Sequence, residues 1–189
     1  MSSTETIAVE HQRLLLDVAR SSIWQGVREG RALTVKAADY PEPLQAQRAT
    51  FVTLNVEGRL CGCIGALAAY QPLVCDVAEH AHAAAFQDPR FPPVVTAEVN
   101  CLELHISILS PPQPMSFSDE ADLLTQMRPG VDGLILGDGG RRGTFLPSVW
   151  EQLPQPGEFL THLKRKAGLP GDYWSDTLEV SRYTTQSFS

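Results

Sequence analysis

Two thiols stand two residues apart in Leu60-Cys61-Gly62-Cys63-Ile64-Gly65, after the alternating run Phe51 to Val56 and the turn pair Glu57-Gly58. Residues two apart on a strand project to the same face, so Cys61 and Cys63 are expected side by side. Gly62 and Gly65 carry no side chain and would let a ligand or a second surface approach the backbone. A cysteine attacks as the thiolate, and needs a base or a positive field to bring its pKa below about 8.5. His105 is the best base by pattern. It shares the polar face of its strand with Glu103, giving a Cys63–His105–Glu103 relay if the two strands pair. The competing role for Cys63 is that of a small residue packed at an interface, where free cysteine is often inert.

The same thiols, with His80, His82 or His105, offer soft and borderline metal ligands. Their C-x-C spacing is not that of structural zinc sites, and His80 and His82 lie about 200° apart around a helix. Cys75, Glu79 and His82 do share a helical face, which partial burial explains equally well. A Cys61–Cys63 disulfide would join Cα atoms about 6 to 7 Å apart, at the edge of unstrained geometry, and would be labile. No metal site is assigned and no cofactor is predicted.

Arg90 lies in Asp88-Pro89-Arg90-Phe91-Pro92-Pro93, where proline stiffness would hold a binding residue rigidly; its alternative is a salt bridge to Asp88 or a helix end. Asp132, Arg142 and Thr144 flank a glycine-rich hairpin, whose glycines the turn itself requires. Lys164-Arg165-Lys166 reads as a solvated helix end. The chain has no GxGxxG, P-loop, HExxH or GxSxG motif to suggest nucleotide, zinc-protease or hydrolase chemistry.

The elements that would position these residues follow from periodicity. Val9 to Glu29 reads as a helix with Leu14, Leu15, Val18, Ala19, Ile23 and Val27 on one face and Gly30 as its stop. Strands are expected over 51–56 and 60–65, and a helix opens at Pro72 and runs to Phe86. The prolines of 88–93 exclude regular structure there. Leu102 to Leu109 alternates as a half-exposed antiparallel strand. Pro111, Pro112 and Pro114 form a stiff linker, the main internal boundary. Beyond it come a helix over 121–127, strands over 131–136 and 143–146 joined by Gly137-Asp138-Gly139-Gly140, a helix over 159–167 and a strand over 178–183. Strands without strict βαβ alternation indicate an α+β fold with antiparallel sheets and helices alongside.

The 189 residues carry a formal charge of -7, with 43% hydrophobic and 20% charged residues. That is an ordinary balance for a globular chain, and the acidic excess disfavours direct nucleic-acid or anionic-membrane binding. No apolar run reaches the length of a membrane span. The N-terminal MSSTETIAVEHQ lacks the basic and apolar regions of a secretory signal. Four irregularly spaced cysteines suit no disulfide framework, so the expected setting is reducing and cytoplasmic.

Taken in order, Cys61-Gly62-Cys63-Ile64-Gly65, the Asp88–Pro93 motif, Gly130-Val131-Asp132-Gly133-Leu134, Arg142-Gly143-Thr144-Phe145-Leu146-Pro147 and Leu163 to Gly168 resemble the AMMECR family, whose bacterial members are called AmmeMemoRadiSam system protein A. The resemblance covers nearly the whole chain. It departs at Cys61, where the family's LRGCIG motif has arginine, a fixed cation with five donors. It implies two subdomains: a larger one of about 1–111 plus 173–189, and an inserted one of about 112–172, with the LRGCIG strand facing a cleft between them. The family's genes are associated with those of radical-SAM and Memo-type proteins. The expected role is therefore an enzyme or enzyme component acting on a large substrate, such as a protein or modified RNA, or a non-catalytic adaptor for those partners. Catalysis would fall to Cys63, His105 and Glu103, and substrate contact to Gly62, Ile64, Gly65, Arg90 and Thr144.

Overall fold

The computed structural model describes residues 6–189, so the first residues of the N-terminal segment read above lie outside the described part. The chain forms two compact units. One runs to Ser110 and takes back Gln186–Ser189, and the second is Pro111–Thr185. The proline-rich boundary thus falls at residue 110, whereas residues 173–185, expected with the larger part, run with the second unit.

In the first unit, α1 (Val9–Glu29) buries Leu15, Val18, Ala19 and Ile23 and ends at Gly30, whose φ of 70° is the left-handed stop expected of glycine. A short α2 (Glu42–Gln45) precedes β1 (Ala49–Val56) and β2 (Arg59–Gly65), joined by Glu57-Gly58, both at positive φ. This is the turn geometry that matches the twist of a hairpin. Then follow α3 (Leu73–Phe86), with Pro72 at the cap rather than inside the first turn, and β3 (Leu102–Leu109). The sheet has the order β2-β1-β3-β8, where β8 is Thr185–Phe188, a strand the sequence pattern did not announce. Val52, Leu54, Leu104, Ile106 and Ile108 pack against α1 and α3 in one core. The alternate residues, Phe51, Thr53, His105 and Ser107, lie half-buried on the other face.

The second unit holds β4 (Gln113–Pro114), α4 (Glu120–Gln126), β5 (Gly133–Asp138), β6 (Arg141–Phe145), α5 (Pro156–Lys166) and β7 (Glu179–Tyr183). Its sheet runs β4-β7-β5-β6, antiparallel throughout. Asp119 caps α4 by accepting from the Asp122 amide at 2.8 Å, the usual way a helix start satisfies a free N–H. Strand β5 starts two residues later than expected because Val131 and Asp132 close a turn onto the Arg128 carbonyl. The core joins Leu134, Leu136 and Val180 to Phe159, Leu160 and Leu163, with Trp150 stacked on Phe159 at 3.9 Å. Lys164 is a correction to the solvated helix end: it is fully buried, its ammonium 2.9 Å from Glu120 and over the Trp174 ring. Helical periodicity turns this one lysine inward, and its charge required a built partner.

Both units are mixed helix and antiparallel sheet, which makes the chain an α+β protein.

Candidate functional site around Cys63

Strand β2 is an outer strand, and its register against β1 decides what its two thiols can do. Thr53 stands opposite Cys63, and Leu54 opposite Gly62. The pairing then slips, so that Asn55 meets Leu60 and Cys61 has no partner. Such a bulge breaks the simple two-residue alternation. Cys61 packs against the core shared with α1 and α3 and points its Sγ at the Leu54 carbonyl, 3.3 Å away. Burial and the nearby Glu98 push its pKa up. Both thiols are free. The same-face pair expected from spacing is thus replaced by one thiol packed against the core and one bonded to Thr53, both half-buried.

The Cys63 sulfur accepts a hydrogen bond from the Thr53 hydroxyl at 3.3 Å. Its backbone is held from the free edge of the strand: the amide donates to Asp88 Oδ2 at 3.0 Å and the carbonyl accepts from Arg90 at 3.3 Å. Asp88 and Arg90 together occupy the two groups that a neighbouring strand would have paired, closing an exposed edge. The pair is itself bidentate, with Arg90 Nε 3.0 Å from Asp88 Oδ1 and the terminal nitrogen 2.7 Å from Oδ2. These bonds from Arg90, joined by the Cys63 and Arg90 amides, outweigh burial and hold the Asp88 carboxyl well below the usual carboxylate range. Arg90 is raised in turn, chiefly by Asp88, with the Cys63 thiol contributing as well. Its guanidinium lies over the Phe91 ring at 5.2 Å and remains 57% exposed. Of the two roles weighed for Arg90, the structure shows the salt bridge to Asp88, and the same guanidinium bonds the Cys63 main chain.

The anticipated relay is not assembled. Strand β1 lies between β2 and β3, and Thr53 is opposite both Cys63 and His105. Two strand spacings put the Cα atoms of Cys63 and His105 roughly 9.6 Å apart, beyond direct proton transfer. Glu103 instead accepts weakly from the Gly58 amide at 3.4 Å. His105 and Glu103 line a separate hollow of about 410 Å³ with Leu16, Arg20 and Ser189.

The glycines serve the protein's own packing. A Cβ on Gly62 would sit 2.0 Å from the Ala84 carbonyl oxygen of α3, and one on Gly65 would meet the Thr50 carbonyl and the Phe51 ring. Ile64 is opposite Val52 and packs into the core. Gly62, Ile64 and Gly65 thus fix β2 against α3 and β1 rather than leaving space for a ligand.

The AMMECR1 family model matches residues 16–188. The chain belongs to the AMMECR1 family. It is 38% identical to a protein of Methanothermobacter thermautotrophicus over 178 residues, covering 93% of this chain and 92% of that one. A Thermotoga maritima protein is 40% identical over 151 residues, covering 78% and 82%. The crystal structure of an uncharacterised protein from Pyrococcus horikoshii superposes with a TM-score of 0.86 at 32% identity, covering 96% of this chain and 92% of that chain.

The other candidates of this AMMECR1 chain are held by internal bonds. Among the described residues no group of three or more His, Cys, Asp or Glu side chains is arranged to hold a metal ion. His82 meets the Phe86 ring in a tilted contact at α1's Gly26, and burial lowers its pKa. Cys75 points at the Val35 carbonyl at 3.7 Å, and its pKa is raised by burial and by Asp76. His80 meets Asp76 at 3.1 Å, and both contact the buried Thr50 hydroxyl, at 3.2 and 2.6 Å. Asp76 was absent from the sequence candidates; its i, i+4 spacing from His80 was the available signal. Asp132 is fully buried and receives Arg128 at 2.6 and 3.0 Å, stapling the turn before β5. Thr144 donates to the Leu134 carbonyl at 2.9 Å and meets the Tyr183 hydroxyl at 3.1 Å. Among the described residues, no helix is long and apolar enough to cross a membrane.

Proposed function

We propose that this chain is an enzyme, or an enzyme component, whose reactive group is Cys63. The observation that carries this reading is the setting of one sulfur. It stands on an outer strand, accepts a hydrogen bond from Thr53, and has its backbone gripped by a buried carboxylate and an exposed arginine. The sulfur has a hydroxyl donor, and a fixed cation is bonded to the same residue's main chain. Asp88 acts through Arg90 and the strand: it aims the guanidinium and locks the Cys63 main chain, and is a positioning residue. His105 and Glu103, two strands away, are left out of the chemical step. The substrate in this reading is a large one, such as a protein or modified RNA, and meets Cys63 from the sheet face that carries Thr53. The family resemblance supports a pathway shared with radical-SAM and Memo-type proteins, and the four irregularly spaced cysteines suit a reducing, cytoplasmic setting.

The test compares iodoacetamide alkylation of Cys63 at neutral pH in the wild type, Arg90→Gln, Arg90→Lys and Thr53→Val. The reading predicts a rate at least about threefold lower in Arg90→Gln and Thr53→Val, the loss of one charge-assisted or hydroxyl contact, and partial retention in Arg90→Lys. Equal rates in all four, with the circular dichroism unchanged, would remove the basis for a reactive Cys63.

A further inference from the structure

The hollow of about 410 Å³ beside β3 is walled by Leu16 and Arg20 of α1 and by Leu102 and Leu104, with Ser189 at one end. Register fixes which backbone groups open into it. The Cys63 amide and carbonyl are taken by Asp88 and Arg90, so they point away from β1. Thr53, opposite Cys63, therefore turns its own pair toward β3, where it meets His105. Alternation then points the Leu104 amide and carbonyl away from β1. Leu102 obeys the same parity: its amide bonds the Val99 carbonyl, and its carbonyl accepts from Arg20 at 3.2 Å. On that side Ser187 of β8 meets Ser107 and Ser189 reaches the hollow, so β8 runs antiparallel to β3 and its last residue, Phe188, lies beside Ile106. Among the described residues nothing pairs with the Leu104 main chain there, although Leu104 is only 5% exposed.

Arg20 stands next to this open amide. Its terminal nitrogens donate to the Val99 and Leu102 carbonyls at 3.0 and 3.2 Å, which fixes the half-buried guanidinium, and each nitrogen keeps a second N–H. No carboxylate pairs with it among the described residues. Glu103, the acid at the rim, lies on the other face of β3 with its carboxyl at the Gly58 amide. An anchored cation and an unpaired amide thus converge on one apolar hollow.

We propose that this hollow binds a monocarboxylate with an aliphatic tail, one oxygen on the Leu104 amide, the other on Arg20, and the tail along Leu16. The Leu102 carbonyl, where Arg20 sits, and the Leu104 amide share one strand edge about 4.3 Å apart. Carboxylate oxygens lie about 2.2 Å apart, and a group tilted outward by about 40° over the amide brings its second oxygen about 2.8 Å from a guanidinium nitrogen. A charged acceptor on both donors makes each bond stronger than its neutral counterpart. Leu16, one turn of α1 from Arg20, gives the tail an apolar wall. The site is independent of Cys63 and stands or falls separately from the reading above.

The probe is octanoate, titrated into the full chain and followed by backbone amide NMR. A saturable downfield shift of the Leu104 amide is expected, with affinity rising about three- to fourfold for each CH2 added from butyrate to octanoate. Octanamide, which keeps the tail and loses the charge, is expected to bind at least about tenfold more weakly, and Arg20→Gln to weaken octanoate by a similar factor. Leu16→Gln leaves both anion contacts in place and is expected to flatten the dependence on tail length, a readout that holds even where Arg20→Gln does not fold. Absence of a saturable shift at Leu104, equal binding of octanamide, undiminished octanoate binding by folded Arg20→Gln, or an unchanged tail-length dependence in Leu16→Gln would overturn the proposal.

Discussion

Replacing Asp88 by alanine removes the acceptor that holds the edge of β2. Asp88 is 5% exposed and receives the amides of Cys63 and Arg90 as well as the Arg90 guanidinium. A buried N–H left without an acceptor costs about 1–3 kcal/mol. The Cys63 amide stands near the upper part of that range and the more accessible Arg90 amide near the lower. The guanidinium, more than half in solvent, adds less than about 1 kcal/mol. The expected loss at neutral pH is about 2–4 kcal/mol, read as a lower urea midpoint for the first unit. Faster amide hydrogen exchange is expected over residues 59–65. The pH dependence has a fixed sign. The folded state depresses the Asp88 carboxyl, so its contribution is complete above the unfolded value of about 3.9 and is lost as pH falls below it toward the depressed folded value. The gap between wild type and Asp88→Ala should therefore be constant from pH 5 to 7 (about one to three units above that value) and shrink in more acid solution. An unchanged midpoint, or a gap indifferent to acid, would refute the clamp.

Gly62→Ala should destabilise the first unit by about 3 kcal/mol or more, because its Cβ would fall 2.0 Å from the rigid Ala84 carbonyl and not from a movable side chain. Thermal melting checks it, and a melting point unchanged from wild type would contradict the packing role. Thr50→Val removes the buried hydroxyl that donates to Asp76 at 2.6 Å, and should cost about 1–3 kcal/mol in chemical denaturation. In the second unit, Lys164→Met should be near neutral or stabilising, since a buried ammonium gives way to an apolar chain of similar length while Glu120 keeps its access to water. Lys164→Ala, which leaves a cavity, should cost about 2 kcal/mol or more in the same assay.

Periodicity carried most of the fold. The 21-residue α1 appears with the bounds its apolar spacing implied, because a strongly amphipathic run with a glycine stop leaves little choice. The alternation of Leu102 to Leu109 likewise fixed which face of β3 meets the core. Strand β8 escaped notice because Thr185–Phe188 is short and weakly patterned, and is recruited by tertiary pairing. In the site, the motif located Cys63 and Arg90, yet two features depended on register, which a single chain does not display. One is the bulge at Cys61, whose half-buried thiol packs against the core. The other is the insertion of β1 between the strands of Cys63 and His105. The glycines of the motif misled for a related reason: the surface that comes close to them is α3 and Phe51 of the same chain. Lys164 shows the same limit, for its charge suggested solvent while its position on α5 dictated burial.

The most direct measurement is a competition among the four thiols of the folded wild-type chain, alkylated with limiting iodoacetamide at neutral pH and mapped by peptide mass spectrometry. The account predicts that Cys63 is modified first, ahead of the more exposed Cys101, and that Cys61 and Cys75, whose pKa values are pushed up by burial, lag far behind. Labelling ordered by exposure alone, with Cys101 first and Cys63 among the slow thiols, would contradict it.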